Sequence, residues 1–255
     1  MSLEGKTVIV TGGNSGIGEA IVRAAAGAGA NIVIDYVAHP DETAQLIEDV
    51  ADAGGHAVGI QADVTRLDDL KAMVRKAVDT FGDLDVLVNN AGTETRHSLL
   101  ETTEDDYDTV MAVDLKSAFF GSQADAQYFI DARREGLIIN VSSVHEERPM
   151  PGNTAYCVAK GGMRMLARTA GVELADKGVR MINVGPGAVA TPINRSTMDD
   201  PAKLEALENA IPLGRMADAE EIGDLVAMLA GSAAAYLTAT TVYADGGLMQ
   251  AGGGL

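Results

Sequence analysis

The stretch that decides the fold is Val8-Ile9-Val10-Thr11-Gly12-Gly13-Asn14-Ser15-Gly16-Ile17-Gly18. Val8-Ile9-Val10 is a short apolar run that reads as a buried strand. Glu19–Ala28, rich in alanine, reads as a helix. Between them lies the glycine-rich turn Thr11–Gly18. Strand, glycine turn, helix is the context that a dinucleotide site requires. Glycines let the backbone come close to a pyrophosphate, and a helix start offers unpaired N–H groups and the positive end of a dipole.

Outward from this turn, strands and helices alternate. Lys6–Thr11 is read as the first strand and Gly16–Gly29 as its helix. Asn31–Asp35, Ala57–Ile60, Asp85–Val88, Leu137–Val141 and Arg180–Val184 are read as further strands. Asp41–Ala53, Asp68–Phe81 and Ala155–Ala175 are read as helices, and Glu104–Ala132 as long and mostly helical. Such alternation predicts an α/β fold, a doubly wound parallel sheet covered on both faces, with right-handed crossovers. The stretch from Ala190 to Arg215 has weak strand signals and one helical patch, Ala202–Ala210. It reads as a loop-helix insertion near 190–215, above the strand ends where α/β folds bind ligands. Without repeats, low-complexity tracts or long linkers, residues 1–255 are expected to form a single dinucleotide-binding catalytic domain.

The composition suits that reading. A chain of 255 residues can bury one large core, and 47% apolar residues is ordinary for a soluble protein. No apolar run reaches the length of a membrane span. Met1-Ser2-Leu3-Glu4-Gly5-Lys6 shows no signal-peptide core. The single Cys157 leaves no internal disulfide and suits a reducing cytoplasm, where the protein is expected. Its expected role is packing. No His/Cys cluster has zinc spacing, so no metal is expected. The net charge of −18, from 37 acidic and 19 basic residues, argues against nucleic acid and against anionic membranes as partners. The acids are scattered, as a solvated surface would have them, and a salty setting would suit them too.

Chemistry enters with Tyr156 and Lys160, four apart in Tyr156-Cys157-Val158-Ala159-Lys160. On a helix they share one face. A free tyrosine has a pKa of about 10. A neighbouring ammonium favours the phenolate, and a tyrosine so tuned can exchange a proton with an alcohol or a carbonyl oxygen. Alone, the pair would read as a surface i, i+4 contact. Here Ser143 lies upstream and the glycine turn opens the chain.

These residues, with Asp63-Val64, Asn89-Asn90-Ala91-Gly92, Ser142-Ser143 and Pro186-Gly187, resemble the motifs of the short-chain dehydrogenase/reductase family in order and spacing along nearly the whole chain. The resemblance implies a Rossmann fold and hydride transfer between a secondary alcohol or carbonyl and a nicotinamide cofactor. It implies that Ser143 holds the substrate oxygen, that Tyr156 is the acid/base, and that Lys160 tunes Tyr156 and reaches the nicotinamide ribose. It implies cofactor contacts at Gly12, Asn14, Ser15, Gly16, Ile17 and Gly18, at Asp35 and Tyr36, and at Asp63, which would bind the adenine, and Val64. Asn90, Ala91 and Gly92 would pass beneath the adenosine ribose. Val113, Tyr156, Lys160, Pro186, Gly187 and Val189 complete the set, with Thr191, which would bind the carboxamide. One position departs. Asp114 stands where the family usually has an asparagine that kinks the long helix and holds a water linked to the lysine. An aspartate keeps the backbone carbonyl but adds a charge near Lys160, or merely caps the kink.

Cofactor choice turns on Ile34-Asp35-Tyr36-Val37-Ala38-His39. An acidic residue at the end of the second strand accepts the ribose 2′-OH and repels a 2′-phosphate. Tyr36 aligns with the family's acidic position and Asp35 lies one before it. Ser15 stands where many NADP-using relatives carry a basic residue. NAD is favoured and NADP stays open. Ser142-Ser143-Val144-His145-Glu146, Gly185–Asn194 and Ala244-Asp245-Gly246-Gly247 resemble glucose 1-dehydrogenases within the family. Glu94, His145, Glu146 and Asn194 are the candidate substrate contacts, polar enough for a polyhydroxylated molecule. Three readings stand: a glucose 1-dehydrogenase-like sugar dehydrogenase, a ketone or 3-oxoacyl reductase of the same family, and a non-catalytic nucleotide-binding scaffold. The family habit, with Met163, Leu166 and Ala170 at helical spacing, predicts a homotetramer.

Overall fold

Residues 2–251 are described by the computed structural model, and their strands form where the apolar runs lie. The strands are β1 (Thr7–Val10), β2 (Asn31–Tyr36), β3 (His56–Gln61), β4 (Val86–Asn89), β5 (Gly136–Val141), β6 (Val179–Pro186) and β7 (Thr240–Ala244). They make one sheet in the order β3-β2-β1-β4-β5-β6-β7, every pair parallel. The helices are α1 (Gly16–Gly27), α2 (Pro40–Asp52), α3 (Leu67–Phe81), α4 (Glu104–Val110), α5 (Ser117–Asp131), α6 (Thr154–Glu173), α7 (Arg195–Met198), α8 (Pro201–Ala210) and α9 (Ala219–Ala230).

Alternate strand residues feed two separate cores, because successive side chains point to opposite faces. Val8, Val10, Ile32, Ile34, Val86 and Val88 pack with α1, α2 and α9. Ile9, Val33, Leu87, Ile138 and Met181 pack with α3, α5 and α6. Both faces are thus dry, and the strands can be apolar without alternation. Helix α3 shows how the pattern works: Leu70, Met73 and Ala77 are buried at spacings of three and four, and the chain leaves at Gly82 with φ +85°. Helices α1 and α9 approach closely at Gly223, where a Cβ would collide with the Ala20 carbonyl.

The structure adds strand β7 and helices α7 and α9 to the six strands and the helices read from the sequence. Helix α9 starts at a capping box in which Asp218 and Glu221 bond each other's backbone N–H. The Asp218-x-x-Glu221 spacing ahead of Ile222, Val226 and Leu229 was a legible signal for it. Strand β7 is a half-buried edge strand whose composition alone is a weak signal. The long helical stretch Glu104–Ala132 is interrupted by a π-helical turn, Met111–Lys116, centred on Asp114. One extra residue per turn re-aims the side chains there, as such turns do at functional sites. The segment from Ala190 to Arg215 contains a 3-10 turn at Pro192–Asn194 followed by α7 and α8.

Candidate active site

The carboxyl ends of β1 and β4 diverge to their following helices on opposite sides, and a cleft of about 700 Å³ opens there. This is the switch point at which α/β sheets bind ligands. The glycine turn forms one wall. Gly12 and Gly16 have φ of +58° and +54°, which bends the backbone back on itself. Gly18 lies under the turn, off the cleft wall: a Cβ there would strike the Gly12 carbonyl, so its glycine serves close packing. Asn90 ties the turn from the β4 side, its Nδ2 donating to the carbonyls of Thr11 at 2.9 Å and Gly12 at 3.1 Å. Asn14 spends its amide on Ala38 and Thr43, at 2.9 and 3.0 Å.

The residue at the end of β2 that reaches the cleft is Asp35. Its Oδ2 accepts from the Gly12 N–H at 3.1 Å, and its Oδ1 is buried without a partner. Burial pushes this carboxyl up to about 7; the Gly12 N–H pulls it back, and Asp63 and Asp69 push it further. Tyr36 corrects the family alignment. Neighbouring strand residues face opposite ways, and its ring packs over Gly59 towards α2, away from the cleft. Asp63 is held low by two hydrogen bonds from Thr65 and lines the cleft with Ala62 and Val64. Ala91, Gly92, Val113, Ser15, Ile17 and Thr191 also stand on its wall. Pro186, Gly187 and Val189 do not. Gly187 packs against Asp245, and the Val189 carbonyl anchors Thr191 Oγ1 at 3.4 Å and Asn194 Nδ2 at 2.9 Å. Two features fit a nicotinamide dinucleotide: a backbone cradle that a Cβ would fill, and orphaned polar atoms on Asp35 and on Ser142, whose Oγ is buried without a partner.

At the far end of the cleft stand Tyr156 and Lys160, one turn apart on α6. Lys160 Nζ is 5.4 Å from the Tyr156 ring centre, donates to the Val141 carbonyl at 3.2 Å, and lies 3.2 Å from Asp114 Oδ2. Asp114 Oδ1 accepts from the Thr93 N–H at 2.8 Å. The departure from the family asparagine is therefore a buried ion pair. Burial drives the Asp114 carboxyl up, and Lys160 and Thr93 counter it. Burial would lower Lys160, but Asp114 first and Tyr156 next outweigh it, so the ammonium is firmly held. The sequence expectation that Lys160 lowers the Tyr156 pKa is met only in part. Burial is the largest influence and raises it; Lys160 and the Ser143 hydrogen bond lower it; Asp114 and Glu94 raise it again, and the net direction is up.

The four candidate substrate residues part company. Glu146 is turned away. Its fully enclosed carboxylate accepts from Asn183, Thr241 and Tyr243, so the expectation of a substrate contact is replaced by one of support. His145 packs edge-on to Tyr156, ring centres 6.3 Å apart, with Nδ1 3.0 Å from the Arg148 carbonyl. Glu94 Oε2 accepts from Asn153 at 2.7 Å, and Glu94 also pairs with Arg96. Asn194 Oδ1 accepts from Arg96 at 3.2 Å. Arg96 and Asn153 were not singled out from the sequence. Arg96, at φ +54°, spans from the loop after β4 to Ile193 and Ser196. Only tertiary proximity reveals that link. Asn153 does carry a signal, its place just before the start of α6.

Comparison with known proteins agrees with this geometry. A family model described as enoyl-(acyl carrier protein) reductase matches residues 12–249. The chain is 37% identical to 3beta-hydroxysteroid dehydrogenase 1 of Eggerthella lenta, covering 96% of this chain and 94% of that one. It is 34% identical to glucose 1-dehydrogenase 2 of Bacillus subtilis, covering 96% and 95%. A solved structure of a candidate 2-deoxy-D-gluconate 3-dehydrogenase from Agrobacterium tumefaciens, with bound NADP, superposes with a TM-score of 0.90 at 33% identity, covering 98% of each chain. A glycine-cradled cleft that ends at Tyr156 and Lys160, in a chain matched over nearly its full length to dehydrogenases, places the protein in the short-chain dehydrogenase/reductase family of NAD(P)-dependent oxidoreductases.

Proposed function

We propose that this chain is an NAD-preferring dehydrogenase acting on a sugar or similar polyol, in the manner of the glucose 1-dehydrogenases it resembles. The observation that carries the reading is the continuity of the cleft from Asp35 to the Tyr156–Lys160 pair. Bound nicotinamide would accept or supply the hydride. The chain's own residues do the rest. The glycine turn and Asp63 would hold the adenosine half, and Asp35 Oδ1 offers an acceptor to a ribose hydroxyl. Ser143 holds the substrate oxygen, and Tyr156 Oη takes the alcohol proton in oxidation or returns it in reduction. Lys160 supplies positive charge beneath Tyr156, and Asp114 limits it. Glu94, Asn194 and Arg96, next in chain or bonded to the cleft-lining Thr93 and Ile193, would offer polar partners to a polyhydroxylated substrate.

One observation favours a second reading, a less polar ketone or an acyl thioester. Ile193 and Leu213, in the segment beside the cleft, are 47% and 69% exposed. A panel of sugars, polyols and ketones, assayed with both cofactors by nicotinamide absorbance, separates the two. The key variant is Tyr156→Phe, which keeps the ring and loses the proton-transfer group. Its kcat should fall by at least ~10²-fold with cofactor affinity retained. Turnover equal to wild type would remove the role given to Tyr156, and absence of turnover by the wild type across the whole panel would favour a mere cofactor-binding scaffold. The working form is proposed to be a cytoplasmic homotetramer. No described helix is long and apolar enough to cross a membrane.

A further inference from the structure

Three asparagines interrupt the apolar strands in one register row. Asn89 lies opposite Asn140, Asn140 opposite Asn183, and Asn183 opposite Thr241, across four consecutive strands. All three amides are buried. They are bonded head to tail: Asn89 Nδ2 donates to Asn140 Oδ1 at 2.8 Å, and Asn140 Nδ2 to Asn183 Oδ1 at 2.9 Å. The row therefore has a direction and needs an acceptor at its end. Glu146 provides it, with Oε2 taking Asn183 Nδ2 at 3.1 Å. Its other oxygen accepts from Thr241 Oγ1 at 2.6 Å and Tyr243 OH at 2.8 Å, with Arg164 Nε at 4.0 Å. A carboxylate suits this place because it only accepts and has room for several donors. A neutral apolar side chain would take an acceptor from one buried amide and two part-buried hydroxyls.

The ends of this network sit on the catalytic carriers. Glu146 belongs to the 3-10 turn Val144–Glu146 that follows Ser143, and its N–H donates to the Ser143 carbonyl at 3.1 Å. The same turn sends the His145 N–H to Ser143 Oγ at 3.1 Å. Asn183 Nδ2 also reaches the Met163 carbonyl at 3.3 Å, on α6 just beyond Lys160. Asn140 precedes Val141, whose carbonyl receives the Lys160 ammonium. One amide, Asn183, thus touches both the Ser143 turn, through Glu146, and the helix that carries Tyr156 and Lys160.

We propose that Glu146 is a positioning residue that terminates the asparagine row and clamps the Ser143 turn to β6 and β7, setting Ser143 against Tyr156. The catalytic consequence rests on the function proposed above; the clamp does not. Two variants separate its parts. Glu146→Ala removes the acceptor. Glu146→Gln can turn its oxygen to Asn183 and its amide to the two hydroxyls, which rotate to accept.

The measurements are amide hydrogen exchange of the segment 142–148 in the folded protein, cofactor affinity by nicotinamide fluorescence, and kcat. In Glu146→Ala the segment should exchange at least ~10-fold faster, since local opening then costs less. The kcat should fall at least ~10-fold because Ser143 loses its alignment, while cofactor affinity stays within about twofold. Glu146→Gln should restore exchange and kcat to within about threefold of wild type. If Glu146→Ala does not fold, Thr241→Val with Tyr243→Phe removes two of the three donors and should loosen the same segment. Exchange of 142–148 unchanged in the variants overturns the proposal. So does equal loss of kcat in the Ala and Gln variants, which would make charge rather than acceptor pattern the active property. Faster exchange in a protein that turns over no substrate would support the clamp and refute the dehydrogenase reading alone.

Discussion

Replacing Asp114 by asparagine tests the point at which this chain leaves its family. Asp114 Oδ2 lies 3.2 Å from Lys160 Nζ, and that nitrogen lies 5.4 Å from the Tyr156 ring centre. Laid end to end, those distances put the carboxylate no more than about 8.6 Å from the ring, where a unit charge at an effective dielectric of about 20 is worth about 2 kcal/mol. An anion so placed raises the Tyr156 pKa, and at about 1.4 kcal/mol per pH unit its removal displaces a rate profile governed by that ionisation by about one pH unit or more. The sign follows from the charges: an anion disfavours a nearby phenolate, so its removal eases ionisation. Alcohol oxidation needs the phenolate. In Asp114→Asn the rising limb of the kcat–pH profile should therefore move about one pH unit or more to lower pH, with activity at neutral pH kept or increased. Lys160 loses the largest influence that opposes its burial, so the alkaline limb should come down as well. The assay is reduced-nicotinamide absorbance at saturating alcohol, from about pH 6 to 11, on wild type and variant. A rising limb that does not move would show that the carboxylate's charge is compensated before it reaches Tyr156. Loss of activity at every pH, in a folded protein, would give Asp114 a direct part in the reaction and refute the reasoning.

Wild type should show a higher kcat/KM with NAD than with NADP, and Asp35→Ser with Val37→Arg should shift preference towards NADP by building a phosphate site. The Asp35 carboxyl is pushed up to about 7, so it repels a 2′-phosphate fully only above that pH. NAD preference should weaken as pH falls through this value, and a preference flat across it would refute the role given to Asp35. Asp125, buried on α5 with Oδ1 unpartnered, has its carboxyl raised well above the usual value by burial. The folded state then binds a proton that the unfolded chain has released. The contribution of Asp125 to stability should fall by about 1.4 kcal/mol per pH unit from about pH 4 up to the raised pKa. Asp125→Asn avoids that loss, so urea midpoints should show its advantage growing as pH rises above the ordinary carboxylate range, and a constant difference would contradict it. Phe119 on α5 and Met165 on α6 are 46% and 55% exposed, as a subunit contact would need. Light scattering should give about four times the 26.4 kDa chain mass, and a monomer at micromolar concentration would sink the tetramer.

The parallel sheet, the glycine turn and the helical spacing of Tyr156 and Lys160 were all legible in the order of residues alone. These are local properties: an apolar run, a backbone that only glycine permits, and one turn of helix. The same order marked Asp114 as out of pattern. Tertiary structure decided what that aspartate does, because its partners Thr93 and Lys160 are 21 and 46 positions away, and only the π-helical turn aims it between them. It decided between Asp35 and Tyr36, since strand parity fixes which neighbour faces the cleft and the register against β1 and β3 fixes the parity. It also moved Glu146 from the substrate to the frame. Glu146 looked like a loop carboxylate beside the catalytic serine. Its acceptors are used up by Asn183, Thr241 and Tyr243, residues 37 to 97 positions distant that meet only when β6 and β7 join the sheet. Where a side chain ends depends on which donors the fold brings to it, and that is a property of the whole chain rather than of its neighbours in sequence.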